Sequence, residues 1–220
     1  MILHRTNSAA DWKQHLAQPE RHWKPMRSAM ETALSWEEAE NGPPEVAALF
    51  PNAHLIQAII EYPVALPGGE RDSFNDVFAL WQDEVGLIVN MVEAKRDEPF
   101  GPTLDEWQST SSSGRSERLA FLCEKLGLKA DKLAGTIRYQ LMHRTVSALL
   151  TARQYHAKRA VMLVQSFSPE NRWFSDFDAF CAELGLQAQL NGVTSTRDFG
   201  GIDLSLGWVH SPFRSKIGSE

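Results

Sequence analysis

Two carboxylates and a lysine lie on two neighbouring apolar segments of the sequence. Asp76 lies in the first segment, residues 74–80, and Glu93 and Lys95 end the second, residues 87–95. If the segments are strands of a hairpin, Glu93 and Lys95 point to one face and Asp76 can lie beside Glu93. Carboxylates this close repel each other unless a cation separates them, and hard oxygen ligands with water suit Mg²⁺. The spacing therefore predicts Mg²⁺-assisted phosphodiester cleavage, with Lys95 contacting the attacking water or the phosphate.

The same three residues also have an ordinary structural interpretation. A Glu-x-Lys at a strand end is common, because exposed edges collect charge and a single Glu–Lys pair is usually solvated. Asp76 on the preceding segment and the order of the surrounding elements favour the catalytic interpretation. The sequence has no glycine-rich phosphate loop, His-Glu-x-x-His motif or Gly-x-Ser-x-Gly elbow that would indicate another chemistry.

Hydrophobic periodicity and turn residues predict the elements that must position these side chains. Strands are predicted at residues 54–66, 73–81, 87–95, 160–167 and 202–210, and helices within residues 8–50 and at 115–126, 130–154 and 173–184. Residues 82–86 form a predicted hairpin turn with Gly86 at positive φ, and residues 96–113 are predicted to be irregular. This order favours one α/β sheet with helices on both faces, in which helix 130–154 is a right-handed crossover.

Composition and charge limit what the protein can bind. The chain has 220 residues, of which 43% are hydrophobic and 23% charged, an ordinary globular composition, and its formal net charge is −6. This charge argues against broad, non-specific duplex binding, although it is compatible with a locally basic cleft. Seven basic residues in the second half could line such a groove: Arg115, Arg118, Arg138, Arg144, Arg153, Lys158 and Arg159.

The two cysteines and the apolar segments bear on the cellular compartment. Cys123 and Cys181 match neither a zinc motif nor a disulfide framework, so both are predicted to be buried, reduced thiols. No apolar run reaches membrane-spanning length, and the first residues lack a signal-peptide core. We therefore expect a soluble, cytoplasmic protein with no membrane partner.

Asn75 and Asp76, followed by Glu93, Ala94 and Lys95, resemble the signature of the PD-(D/E)XK nuclease superfamily. The predicted α-βββ-α-β order over about residues 28–167 is similar to that superfamily's restriction-endonuclease-like core. Asn75 stands where the superfamily usually has proline. The resemblance implies a nuclease-like domain at residues 28–210 with a mixed central sheet, an N-terminal helical extension at 1–27 and a C-terminal tail at 211–220.

The resemblance also implies roles for individual residues. Asp76 and Glu93 would bind the metal, Ala94 would offer its carbonyl, Lys95 would assist the attacking water, and Glu61 matches an acid found upstream of the motif. Glu61 would then be an outer or second metal ligand, although it could also simply mark a strand bend.

A polar helix face is the last candidate part of the site. Gln140 resembles a catalytic glutamine in the RecB and phage-exonuclease branches, although Arg144 stands where those branches have tyrosine. His143 and Arg144 share the face of Gln140 and could bind a substrate phosphate. A solvated polar face is the competing interpretation of these three residues.

Three functions remain open from the sequence. The first is an Mg²⁺-dependent nuclease, with Mn²⁺ able to substitute, acting on DNA rather than RNA and using a homodimer or a helper subunit if needed. The second is a catalytically inactive nuclease-like scaffold that serves as a protein-interaction module. The third is a hydrolase of a small phosphorylated molecule, which would share the metal but need no long cleft.

Overall fold

One mixed sheet forms the centre of the fold. The computed structural model describes residues 6–16, 18–69, 71–110 and 112–215. In these residues the strands are β1 (His54–Val64), β2 (Ser73–Asp83), β3 (Gly86–Lys95), β4 (Arg159–Ser166), β5 (Gly192–Val193), β6 (Arg197–Asp198) and β7 (Asp203–His210). They are ordered β1-β2-β3-β4-β7-β5, and β6 also pairs with β7. The predicted α/β class and its five main strands are confirmed.

The helices flank this sheet. A 3-10 helix spans Ala9–His15, and the α-helices are α1 (Pro19–His22), α2 (Ser28–Glu37), α3 (Pro44–Ala47), α4 (Leu104–Gln108), α5 (Ser113–Leu126), α6 (Tyr139–Gln154) and α7 (Phe174–Glu183). In the part of the chain that is described, no helix combines the length and the apolar character needed to cross a membrane.

The pairing of the strands changes direction at β3. β1, β2 and β3 form an antiparallel meander, and β3, β4 and β7 run parallel to one another. The β2–β3 turn has Gly86 at φ 132°, as predicted. Asp83 closes this turn by accepting hydrogen bonds from the backbone N–H groups of Val85 and Gly86, and Arg159 of β4 binds the same carboxylate. The hairpin is thereby fixed to the parallel half of the sheet.

Side-chain alternation divides the core into two layers. On β2, Phe78 belongs to one layer, whereas Val77 and Trp81 belong to the other. The first layer receives the apolar side of α6, and the second receives Trp12 of the 3-10 helix and Trp36 of α2. Both cysteines are buried and free, as predicted.

Two predicted boundaries on either side of α5 are wrong. The helix predicted at 130–154 begins only at Tyr139, because the preceding residues bind α4: the carbonyls of Gly135 and Ile137 accept hydrogen bonds from Asp105 and Leu104. α4 itself lies in the stretch predicted to be irregular. Its N-terminus has a capping box, in which Thr103 and Glu106 each bind the other's backbone N–H. The Thr-x-x-Glu spacing is a sequence signal for this helix.

Candidate active site

β2 and β3 separate at the end that carries the predicted site residues. The pairing between β2 and β3 ends at Val77 and Val92. Beyond this pair, the start of β2 pairs with β1 and the end of β3 pairs with β4. The Asp76 carboxylate lies at the start of the opening, where its Oδ2 accepts a 2.6 Å hydrogen bond from the backbone N–H of Ala94. The Asp76 side chain thus replaces a backbone hydrogen bond between β2 and β3, and the ends of these two strands diverge.

A pocket of about 220 Å³ lies at this opening. Glu61, Asp76, Glu93 and Lys95 all line it, together with Ala94. Residues predicted from three separate strands therefore meet at one place.

Glu61 reaches this pocket through an irregularity in β1. Its φ is 46°, a left-handed conformation that a non-glycine residue seldom adopts inside a strand. The irregularity breaks the alternation of β1, so that Ile59 and Tyr62, three residues apart, both face the α6 layer. Such strain is kept where the surrounding structure requires it, and here it accompanies a side chain directed into the pocket.

Glu93 is bound on both of its oxygens. Oε1 accepts hydrogen bonds from Lys95 Nζ and from Gln140 Nε2, the latter at 2.7 Å, and Oε2 accepts one from Arg144 Nε. Glu93 is 2% exposed. Burial would raise the pKa of this carboxyl, but Arg144 and then Lys95 hold it below its usual range. Glu93 is therefore ionised, and its charge is balanced by two buried cations.

Glu61 and Asp76 have the opposite electrostatic environment. Burial, and next the repulsion by Asp76, raise the pKa of Glu61 to about 8. Burial and the repulsion by Glu93 raise the pKa of Asp76 to about 7, against the smaller opposing effects of Lys95 and Arg144. Near neutral pH the protonated forms of these two carboxyls are therefore populated, whereas ordinary surface carboxyls are ionised. A cation beside them would displace those protons.

The two carboxylates of Glu61 and Asp76 fit a hard divalent cation that needs few protein ligands. In the described ranges no larger group, of three or more His, Cys, Asp or Glu side chains, is arranged to hold a metal. Mg²⁺ commonly binds through one or two carboxylates and completes its shell with waters and substrate phosphates. Glu61 and Asp76, with raised pKa values in one pocket, supply that number.

The structure places His143 and Arg144 behind the pocket and not in its lining. Arg144 is 8% exposed, and besides Glu93 it donates to Ser73 Oγ at 2.9 Å. Ser147 Oγ donates to the carbonyl of His143 and lies 3.1 Å from Ser73 Oγ, and Ser73 Oγ forms a 2.8 Å hydrogen bond with His143 Nδ1. Burial, and then Arg144, hold the pKa of His143 well below its usual range. The ring is neutral, and it completes a buried network that orients Glu93.

The opposite wall of the pocket comes from the N-terminal helices, which the sequence did not connect with the site. Six residues of this wall line the pocket: Trp12, Leu16, His22, Ser28, Ala29 and Thr32. Glu98, just after β3, completes the lining. A serine and a glutamate 70 residues apart meet here, since Ser28 Oγ donates to Glu98 Oε1. The tryptophans of these helices were the available signal that they pack on another part of the protein.

The wall is held in place by partly buried polar contacts. Trp12 Nε1 donates to Glu37 at 2.7 Å, and Arg96 donates to the carbonyl of Met26. Glu31 is fully buried and binds the backbone N–H groups of Met26, Arg214 and Ser215. Residues from both ends of the described chain thus meet at one carboxylate.

One protein-family model covers both the sheet and the wall. A family model described as a domain of unknown function, DUF6946, matches residues 5–213. The chain belongs to the DUF6946 family. The match includes the helical wall as well as the strands that carry Asp76, Glu93 and Lys95. No curated protein and no solved structure gave a significant match.

Proposed function

We propose that the protein is a divalent-metal-dependent nuclease with a restriction-endonuclease-like fold, which hydrolyses phosphodiester bonds in nucleic acid. The observation that carries the proposal is the meeting of Glu61, Asp76, Glu93 and Lys95 in one pocket where β2 and β3 separate. The antiparallel β1–β3 meander and the parallel strand β4 after helix α6 support the resemblance to that fold.

Each residue has a separate task in this proposal. Asp76 and Glu61 would hold Mg²⁺ or Mn²⁺, with the carbonyl of Ala94 as a further oxygen. The bound ion would polarise the phosphoryl oxygen and lower the pKa of a water. Lys95, beside Glu93, would stabilise the negative charge that develops on the phosphate. Gln140 and Arg144 hold Glu93 in one orientation and so position Lys95.

Calorimetry with Mn²⁺ tests the metal, and cleavage tests the chemistry. We expect the metal-free protein to bind Mn²⁺, Asp76→Ala to lose that binding, and Asp131→Ala, an exposed control, to keep it. Lys95→Ala should retain Mn²⁺ and lose about 100-fold or more of the cleavage rate, the usual cost of removing one transition-state donor. Equal Mn²⁺ binding by the parent and Asp76→Ala would contradict the metal site. Full cleavage by Lys95→Ala would contradict its role.

One observation favours the second candidate, an inactive scaffold for protein interaction. Both oxygens of Glu93 are occupied by internal donors, which is what a structural ion pair would also show. This alternative predicts no Mn²⁺ binding and no cleavage, with Lys95→Ala changing only the free energy of unfolding. The calorimetric titration therefore separates the two candidates.

A further inference from the structure

Exposed basic residues interrupt the acidic surface of this protein at the mouth of the pocket. The chain from residue 21 to 27 carries Arg21, His22, Lys24 and Arg27, all exposed, which we call the basic strip. No ion pair of the described residues includes any of the four. The charges of Arg21, Lys24 and Arg27 therefore face solvent without a carboxylate partner.

The basic strip is tied to the pocket at both of its ends. His22 and Ser28 both line the pocket. Consecutive Cα atoms are about 3.8 Å apart, so no residue between them lies more than about 11 Å from a lining residue. The strip can thus reach phosphates adjacent to one that occupies the pocket.

Most basic residues grouped by the sequence in the second half are committed elsewhere. Arg118 donates to three backbone carbonyls, Arg138 pairs with Asp176, and Arg159 pairs with Asp83. These side chains stabilise the fold. The strip, on the wall of the pocket, is better placed to attract a polyanion.

The pocket has room for only a small part of a nucleic acid. Its volume of about 220 Å³ lies below the roughly 300–1,000 Å³ of typical ligand pockets. The strand ends close one side and the fixed wall closes the other, with the apolar Trp12 and Leu16 among its lining residues. One phosphodiester and its sugar can enter. A single strand can bend to place them there, whereas a duplex, with a persistence length of about 150 base pairs, has to be deformed to do so.

From these observations we infer that the partner is a single-stranded nucleic acid, whose phosphates lie along the basic strip while one phosphodiester enters the pocket. This inference rests on the proposed function for the identity of the site. The N-terminal helices then determine the substrate class, because they supply both the contacts with the backbone and the wall that disfavours a duplex.

Fluorescence anisotropy of a labelled 20-nucleotide dT strand, in EDTA, tests the inference without requiring cleavage. The test variant replaces Arg21, Lys24 and Arg27 with Glu. The control replaces three lysines remote from the strip in sequence, Lys125, Lys129 and Lys132, with Glu and changes the net charge equally. Three phosphate contacts give a salt slope of about −2, or roughly twentyfold weaker binding at 200 mM than at 50 mM salt.

We expect the strip variant to bind the single strand at least tenfold more weakly than the parent, and the affinity of the control variant to stay within twofold of the parent's. The parent should bind a duplex of equal length at least tenfold more weakly than the single strand. Circular dichroism checks that both variants are folded. Equal affinity of the two variants, no binding by the parent at 50 mM salt, or equal affinity for duplex would overturn the inference. Strip-dependent binding without cleavage in Mn²⁺ would leave the inference standing and refute the nuclease proposal alone.

Discussion

Replacing Asp76 with asparagine should make the metal-free protein more stable at neutral pH. Asparagine keeps an acceptor for the backbone N–H of Ala94 but removes a carboxylate that burial and Glu93 disfavour. The pKa of Asp76 rises from 3.8 to about 7 in the folded protein. At about 1.36 kcal/mol per pH unit, the ionised carboxylate costs at most about 4 kcal/mol of unfolding free energy.

The sign of the pH dependence follows from proton binding. Between about pH 4 and pH 7 the folded state holds a proton on Asp76 that the unfolded state has released, so rising pH destabilises the parent through this group. The asparagine variant has no such group. Its advantage should be absent at pH 3.5, grow up to about pH 7 and then level off.

Thermal unfolding in EDTA measures this difference. An advantage of about 4 kcal/mol corresponds to roughly 10 °C in melting temperature for a chain of this size, and Mn²⁺ should raise the melting temperature of the parent alone. Asp131→Asn, at an exposed carboxylate, should show no change. If Asp76→Asn melts below the parent at pH 7.5 without metal, Asp76 is an ordinary stabilising carboxylate and the reasoning is refuted.

Two further substitutions examine the parts that support the site. Arg144→Met should lower the unfolding free energy, measured by urea titration, by about 3–5 kcal/mol, because it leaves the buried Glu93 with one cation fewer. Arg172→Met, which breaks an exposed ion pair, should lower it by less than about 1 kcal/mol. Equal losses in the two variants would contradict a buried network. Gly68→Ala should destabilise the protein well beyond the about 1–2 kcal/mol expected of Gly101→Ala. Both glycines have φ near 70–76°, but only at Gly68 would a Cβ contact backbone, at 2.2 Å from the carbonyl oxygen of Gly114. Similar melting temperatures of Gly68→Ala and Gly101→Ala would show that the loop can move aside.

Local patterns account for the elements that could be predicted. The five main strands have β-branched alternation or continuous apolar runs, and the turn residues around Gly86 fix the register of β2 and β3. Once that register is set, Asp76, Glu93 and Lys95 must lie near one end of the hairpin. Their convergence was therefore predictable from two short segments.

Contacts between distant parts of the chain account for what was not predictable. The wall depends on pairs such as Ser28 with Glu98, and no period or motif indicates which strand end a short amphipathic helix will cover. Arg144 illustrates the same limit, because its position on a helix face does not reveal whether its guanidinium meets a phosphate or Glu93. Side-chain partners of buried charges are decided by packing of the whole domain.

The contacts of Glu31 have a consequence for the order in which parts of the protein fold during synthesis. Arg214 and Ser215, which bind its carboxylate, lie more than 180 residues further along the chain. A ribosome therefore releases the partners of Glu31 long after the sheet strands β1 to β4 can pair. The acidic strand ends form first, and the wall that encloses them is fixed only after residues 214 and 215 have been synthesised. A shorter nascent chain accordingly carries the carboxylates without a finished pocket, so that any activity of this site requires the chain through residue 215.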